Sequence, residues 1–291
     1  MTAPADPFAG AGLTALGLAA ARSVETGRPD RLIEDPFARA LYDAAGRDLG
    51  MRLEWPDDPG SVTDTEALHL HGSRYIGLRT RFYDDVLLRA AEAGAGQAVL
   101  LGAGLDTRSR RLGLPGSLTL FEVDRPAVLA FKEEALAGAP ATCRLVGVGA
   151  DLGEGWHEAL DAAGLDPGVP TVWMAEGLMP YLDEAAQLAL LDAVARRAPE
   201  GSGVAFDQVA GGDVEALSRR SGIDMEGLLA GTGGTGGLAG ALRGRGWSVE
   251  VEGADAVAAR YGRDLSDPFG GPGGDPPWLR TDFVRATRPA P

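Results

Sequence analysis

From about residue 97 onward, short apolar runs alternate with helical segments along the chain. Several of these runs are continuously apolar, which is typical of strands in a parallel sheet with both faces covered. The helical segments between them supply the crossover connections that parallel strands require. The pattern therefore predicts an α/β fold with a doubly wound, mostly parallel sheet, whose strands fall at 98–101, 118–123, 143–148, 171–174 and 203–206.

Two runs near the C-terminal end have a different pattern. Residues 247–252 and 281–287 alternate apolar with polar side chains, which predicts an antiparallel pair at one edge of the sheet. Residues 231–237, which precede both runs, are dense in glycine but lack the GK[ST] motif of a phosphate-binding loop. We expect this segment to form a flexible loop.

The N-terminal third of the chain shows helical spacing with little strand signal. Helices are predicted to begin near Leu13 and Phe37, and a further helix is predicted at 74–93. We therefore expect an N-terminal helical cap or lid over residues 1–95. The remaining residues, 96–291, are expected to form the nucleotide-binding core, and the two parts are expected to make one structural unit.

The charge and cysteine content restrict the classes of partner. The chain of 291 residues has 42 acidic and 27 basic side chains, a net charge of −15 that predicts repulsion of nucleic acids. Cys143, the single cysteine, excludes an internal disulfide and is interpreted as an inert thiol in a buried strand. The apolar stretch 9–21 lacks a basic leader region and is too short to span a bilayer. We expect a cytoplasmic protein with no membrane partner.

The histidines give little support for a metal site. There is no HExxH pair among the three histidines of the chain. The segment His69-Leu70-His71 would place two imidazoles on one side of an extended chain, but no carboxylate completes a recognisable ligand set. We predict no bound metal.

A glycine turn and an acidic strand end predict a nucleotide site. The first strand runs into Gly102-Ala103-Gly104, where missing side chains let the backbone turn tightly and approach a ligand closely. About twenty residues later the second strand ends in Glu122 and Asp124. A carboxylate at that strand end accepts hydrogen bonds from ribose hydroxyls in open α/β sheets. The combination predicts an adenosine-containing cofactor.

The residues after the turn favour S-adenosylmethionine over a dinucleotide. Thr107 occupies the position of the third glycine of the dinucleotide fingerprint, and Asp106 places a negative charge where phosphates would lie. A cofactor with an ammonium and a sulfonium but no phosphate tolerates Asp106. An NAD-linked oxidoreductase is kept as a distant alternative.

The ends of the third and fourth strands extend this site. Asp151 is placed to accept a hydrogen bond from the exocyclic amine of an adenine, and Leu152 is placed to cover the ring. At the end of the fourth strand, residues 173–182 include Glu176, two methionines and the aromatic ring of Tyr181, and this strand end faces the transferable methyl group in this architecture.

Three motifs resemble the leucine carboxyl methyltransferase family, especially its bacterial branch of S-adenosylmethionine-dependent methyltransferases, which includes polyketide-pathway carboxyl methyltransferases. They are LGAGLDTR at 101–108, FEVDRP at 121–126 and AEGLMPYL at 175–182. Further segments resemble that branch over almost the whole chain: RSVETGRPD at 22–30, EDPF at 34–37, RTRFYDD at 79–85 and RYGR at 260–263. The resemblance implies a class I methyltransferase with a Rossmann-like sheet, an antiparallel edge strand and an N-terminal helical cap.

The resemblance also implies roles for particular residues in binding S-adenosylmethionine. Arg79 would grip the methionyl carboxylate, and Glu176 would lie at the methionyl ammonium. The remaining contacts would come from Gly102, Ala103, Gly104 and Asp106 at the turn, Asp124 at the ribose, and Asp151 and Leu152 at the adenine. It implies no cofactor role for Arg108.

The acceptor is expected to be a carboxylate of a small secondary metabolite. A carboxylate is ionised and nucleophilic at neutral pH, so it needs a cation to hold it, and Arg22, Arg28 and Arg31 are candidates if the N-terminal segment covers the cleft. A phenol would need a general base, for which His69, His71 and Tyr181 are candidates. A phenolic or hydroxyl acceptor, a protein C-terminus and a non-catalytic cofactor-binding role remain alternatives. The oligomeric state is not predicted.

Overall fold

Seven strands form one sheet in the computed structural model, which describes residues 6–9, 12–211, 214–221, 227, 229–230, 236–265 and 280–289. The order of the strands across the sheet is β3-β2-β1-β4-β5-β7-β6. Their bounds are Gln97–Leu101 for β1, Thr119–Asp124 for β2, Arg144–Gly149 for β3, Thr171–Ala175 for β4, Gly203–Gly211 for β5, Ser248–Gly253 for β6 and Arg280–Thr287 for β7.

The topology of the sheet confirms the predicted fold class. Strands β1 to β5 pair in parallel, whereas β7 lies antiparallel between β5 and β6. The chain runs outward from β1 through β2 to β3, and then returns to the other side of β1 to form β4. This reversal puts a topological switch point at the carboxyl ends of β1 and β4, where open α/β sheets bind their ligands.

Helices precede the sheet and cover it. Their bounds are Gly12–Thr26 for α1, Ala38–Ala44 for α2, Asp64–Glu92 for α3, Arg108–Arg111 for α4, Pro126–Ala135 for α5, Trp156–Ala162 for α6, Glu184–Arg197 for α7, Val214–Ser221 for α8, Gly236–Gly244 for α9 and Ala254–Arg260 for α10. None of the helices in the described part of the chain is long and apolar enough to cross a membrane. Within the glycine-dense segment, residues 231–235 lie outside the described residues, and α9 begins at Gly236.

Helix α3 begins ten residues earlier than the spacing predicted. The hydroxyl of Thr63 accepts a hydrogen bond from the Glu66 backbone N–H, and the Glu66 carboxylate accepts one from the Thr63 backbone N–H at 2.9 Å. This reciprocal capping box starts the helix at Asp64. The arrangement considered for His69 and His71, with two imidazoles on one side of an extended chain, does not occur, because both residues lie within α3 and two positions apart on a helix do not share a side.

The core lies on both faces of the sheet. Along β1, Val99 packs with one face and Leu100 with the other, and both are buried. Helix α3 covers the second face through Leu78 and Phe82. The third predicted strand is less buried than expected, because β3 is the edge strand of the parallel half; Cys143 lies just before it and is itself buried, which raises the pKa of its thiol.

Helix α1 packs closely against α3. A side chain at Gly77 of α3 would overlap the carboxylate of Glu25, which is fully buried on α1. Glu25 also forms an ion pair with Arg263, 2.6 Å away and near the end of α10. The N-terminal helices are thus fixed to both α3 and the C-terminal part of the chain, and α1 lies over the carboxyl edge of the sheet.

Candidate cofactor and acceptor site

One cavity of about 1310 Å³ lies at the carboxyl edge of the sheet, between the strand ends and helices α1 and α3. It is larger than the roughly 300–1,000 Å³ that is typical of a site for one small ligand, so it has room for a cofactor and an acceptor. The structure brings together at this cavity all nine residues that the sequence predicted for cofactor binding: Arg79, Gly102, Ala103, Gly104, Asp106, Asp124, Asp151, Leu152 and Glu176.

The glycine turn after β1 contacts the acid at the end of β2 directly. Gly102 and Gly104 have φ angles of +67° and +47°, a left-handed conformation that favours glycine. The Gly104 backbone N–H donates to the Asp124 carboxylate at 2.7 Å, and the Arg125 N–H donates to its other oxygen at 2.7 Å. The turn and the carboxylate are therefore held in one fixed arrangement.

Two leucine side chains, those of Leu152 and Leu178, lie close to the glycine turn in the cavity. A Cβ atom at Gly102 would be 3.4 Å from the side chain of Leu178 and 3.6 Å from that of Leu152. Asp151, next to Leu152, is exposed, and one of its carboxylate oxygens accepts a hydrogen bond from the Gly153 N–H. The predicted adenine residues thus lie beside the turn, with an apolar and an acidic side chain next to each other.

A buried ion-pair network surrounds Glu176 at the end of β4. The carboxylate of Glu176 contacts Arg79 Nε at 3.0 Å and Arg108 Nη1 at 2.7 Å. Burial alone would raise the pKa of Glu176, but the two guanidinium groups outweigh burial and hold it below its ordinary value. The network keeps Glu176 ionised where a cationic group of a ligand would meet it.

Arg108 is the centre of this network, and the sequence analysis gave it no role. Its side chain is 3% exposed and forms ion pairs with Asp84 at 2.7 Å, with Asp106, and with Glu176. These acids come from α3, from the turn after β1 and from the end of β4. No local pattern predicts a contact among three elements so far apart in sequence.

Asp207 of β5 is a second residue that sequence reasoning missed. Its carboxylate accepts hydrogen bonds from the Gly177 N–H and from the Tyr83 hydroxyl, both at 2.7 Å. Asp207 lines the cavity, and burial raises the pKa of its carboxyl. The fifth predicted strand continues through Asp207 to Gly211, which places this acid at the cavity.

The three arginines predicted to hold the acceptor do not share one location. Arg22 lines the cavity, and it donates to Asp35 and to the carbonyl of Leu105, each at 2.8 Å, so it joins α1 to the turn after β1. Arg28 and Arg31 lie away from the cavity. Arg28 pairs with Asp30 at 2.8 Å, and the exposed Arg31 lies 3.8 Å from Glu34.

This placement corrects the prediction for Arg28 and Arg31. The arginine-rich segment 28–31 turns away from the cleft because Arg28 also packs over the ring of Trp55, at 4.2 Å from its centroid. Of the three, only Arg22 is placed where it would meet an acceptor, and its guanidinium is already engaged by Asp35.

The three predicted base candidates all line the cavity. Burial lowers the pKa of His69, and its Nδ1 is buried with no hydrogen-bond partner among the residues that the structure describes. His71 is buried on the same helix. The Tyr181 hydroxyl donates to Thr14 of α1 at 3.2 Å, so it joins α1 to the short helical turn Met179–Tyr181 after β4.

Comparison with known proteins identifies the class and then the family. A protein of Saccharopolyspora erythraea named a “putative S-adenosyl-L-methionine-dependent methyltransferase” is 40% identical over 273 residues, which cover 90% of this chain and 92% of that protein. A relative of the same description in Rhodococcus jostii is 41% identical over 276 residues, covering 90% and 91%. The protein is an S-adenosylmethionine-dependent methyltransferase. The leucine carboxyl methyltransferase profile matches residues 15–195, and the chain belongs to that family.

Solved structures agree with the fold. A “putative methyltransferase” of Thermobifida fusca superposes with a TM-score of 0.51 at 18% identity, over 93% of this chain and 94% of that one. A DUF574 family protein of Streptomyces avermitilis superposes with a TM-score of 0.52 at 14% identity, over 93% and 97%. At these identities the likeness shows the fold alone.

Proposed function

We propose that this methyltransferase transfers the methyl group of S-adenosylmethionine to a carboxylate oxygen of a small molecule. The observation that carries the proposal is one continuous cavity, which joins the strand ends to a wall formed by α1 and α3. Helix α1 covers this cavity, and Thr14 and Tyr181 connect the cover to the strand-end side at 3.2 Å. A covered site suits a small acceptor better than a protein terminus.

The residues of the strand ends fit the cofactor. The Nε of Arg79 donates a hydrogen bond to Glu176. Within the described ranges, the two terminal amino groups of Arg79 have no hydrogen-bond partner. A methionyl group presents a carboxylate and an ammonium, which complement Arg79 and Glu176 respectively. Asp124 beside the glycine turn suits the ribose, and the acids at this edge suit a ligand without phosphates. Bound there, the cofactor supplies an activated methyl group on a sulfonium.

The reaction needs no proton transfer when the acceptor is a carboxylate. A carboxylate oxygen of the acceptor forms a bond to the methyl carbon while the bond from that carbon to sulfur breaks. The products are a methyl ester and S-adenosylhomocysteine. Because a carboxyl group of ordinary pKa near 4.3 is ionised at neutral pH, the protein contributes mainly by holding the two reactants in line.

The other polar groups of the cavity are consistent with this chemistry. Tyr75 donates its hydroxyl to Thr281 at 3.1 Å, and burial raises its pKa to about 12, so it stays protonated at neutral pH. The carboxylate of Asp207 is engaged by Gly177 and Tyr83. Both groups are already hydrogen-bonded to other groups of the protein. This suits a carboxylate acceptor, which is already ionised and needs no base.

A hydroxyl acceptor is the second candidate, and His69 is the observation that favours it. An imidazole whose pKa is lowered by burial is neutral at pH 7 and able to accept a proton. It would serve as the general base that a phenol or alcohol requires only if the methyl group lies toward the N-terminal half of α3, because His69 is ten positions, about 15 Å, from Arg79 along the helix.

The experiment that separates these candidates measures S-adenosylhomocysteine release with a panel of carboxylic acids and the matching phenols. We expect the acids to be methylated, and we expect His69→Gln to keep their rate within about twofold, because general-base catalysis worth roughly 10²–10⁴-fold is not used. His157→Gln, at a histidine outside the cavity, is the matched control. Methylation of the phenols alone, lost in His69→Gln, would overturn the carboxylate assignment. Cofactor binding without turnover of any acid, phenol or C-terminal peptide would indicate a non-catalytic protein.

A further inference from the structure

One face of α3 forms a continuous side of the cavity. Leu68, Gly72, Tyr75, Ile76 and Arg79 all line it. Leu68, Gly72, Tyr75 and Arg79 are spaced by three and four residues and Ile76 is four residues from Gly72, so these positions lie on one broad face of the helix. Eleven residues separate Leu68 from Arg79, which corresponds to about 16 Å along a helix that rises 1.5 Å per residue. The cavity therefore extends well beyond the end that Arg79 and Glu176 define.

Apolar and imidazole side chains line the cavity away from Arg79. Leu68, His69 and His71 contribute from α3, Leu18 contributes from α1, and Met51 contributes from the loop after α2. Arg22 is the charged neighbour on α1, and its guanidinium is engaged by Asp35. An occupant of this part of the cavity would gain affinity by burying apolar surface.

The two glycines of α3, Gly72 and Gly77, have different surroundings. Gly77 is required for packing, since a side chain there would overlap Glu25 of α1. At Gly72, by contrast, a Cβ would have no atom of the described residues within 4 Å apart from its chain neighbours and the backbone of its own helix. A glycine inside a helix costs stability relative to alanine, and at Gly72 no close packing compensates for that cost. The space that it leaves belongs to the cavity.

We propose that the acceptor is an elongated, mainly apolar molecule that lies along α3, and that Gly72 determines how long and bulky a chain the cavity admits. The inference rests on the proposed carboxyl transfer, in which the reacting carboxylate lies near Glu176 and the apolar chain extends toward Leu68. A side chain at Gly72 would narrow the cavity nearer its Leu68 end, about 10 Å along the helix from Arg79.

The test uses straight-chain monocarboxylic acids from butyric to palmitic acid, with release of S-adenosylhomocysteine as the measurement. We expect kcat/KM of the wild-type protein to rise with chain length. Gly72→Leu should lower kcat/KM for the longest acids by about tenfold or more, because small changes of volume in an apolar pocket discriminate to that extent. The shortest acids should be methylated as before, and calorimetry should show unchanged affinity for S-adenosylmethionine. Gly72→Ala is a milder variant in case leucine disturbs folding.

Gly240→Leu is the matched control, because Gly240 is also a helical glycine with open space around it but lies on α9, away from the cavity. If Gly72→Leu and Gly240→Leu both keep the wild-type length profile, the inference is overturned while the carboxyl transfer stands. If 4-alkylphenols are methylated and the acids are not, the carboxyl transfer is overturned, and the same variants decide the inference on the phenol series. Turnover of neither series by the wild-type protein would overturn both.

Discussion

The two walls of the cavity are built on different principles. The strand-end wall is polar, and Asp106, Asp124 and Glu176 each accept a hydrogen bond from a protein group. The wall formed by α1 and α3 is mainly apolar, and it contains Gly72, which leaves space unfilled. The first wall fixes charges in place before a ligand arrives, whereas the second defines a shape.

This difference suits a protein that uses one cofactor and one acceptor. Charges that are fixed in advance suit the cofactor, because its polar groups are always the same. Such charges need no reorganisation when the cofactor binds. An apolar wall recognises length and width, which a change of one side chain can alter. We therefore expect substitutions at the strand ends and at Arg79 to affect stability and cofactor affinity, and substitutions between Leu68 and Ile76 of α3 to affect the choice of acceptor.

The largest expected effect is at Arg108, where the strand-end wall is most tightly coupled. Arg108→Met would leave Asp84, Asp106 and Glu176 buried without their shared cation. Removing one partner of a buried ion pair costs about 3–5 kcal/mol, so the free energy of unfolding should fall by that amount in urea titrations. Arg39→Met is the control, because Arg39 pairs with Asp43 at the surface and should change stability by less than about 1 kcal/mol. Equal effects of the two variants would show that the buried ion pairs of Arg108 contribute no more to stability than a surface pair.

A smaller effect is expected at Asp124, and it concerns affinity. Asp124→Ala should weaken binding of S-adenosylmethionine by about 1–3 kcal/mol, the loss expected for hydrogen bonds to a charged group. Calorimetry gives this value directly. Asp166→Ala is the matched control, because Asp166 also accepts a backbone N–H, from Gly168 at 2.8 Å, but lies outside the cavity. Unchanged affinity in Asp124→Ala would remove this residue from the cofactor site.

The same contrast explains what the sequence could predict. The sheet and the pairing of the Gly102–Gly104 turn with Asp124 depend on local patterns, namely apolar runs and the position of an acid at a strand end. The contacts of Arg108 and Asp207 depend on which elements meet in three dimensions, and no local pattern carries that information. Arg28 was expected at the cleft for its charge alone, but its packing on Trp55 directs it elsewhere.

The helical wall was the harder part to predict. The helix predicted at 74–93 begins at Asp64, and the capping box of Thr63 and Glu66 that starts it is a pattern readable in the sequence. The role proposed for Gly72 cannot be read from sequence at all, since Gly72 and Gly77 are alike until the neighbours of each are known.

The smallest expected effect tests that last distinction. Gly72→Ala should raise the free energy of unfolding by about 0.5–1 kcal/mol, because alanine suits a helix interior better than glycine and its methyl group meets only open space. Gly77→Ala should instead lower it, because the added methyl group would displace Glu25. Urea titrations of the two variants give both signs in one experiment. Destabilisation by Gly72→Ala would show that this glycine has a packing role. The presence of Gly72 would then be explained by the packing of the fold and not by the space that the acceptor needs.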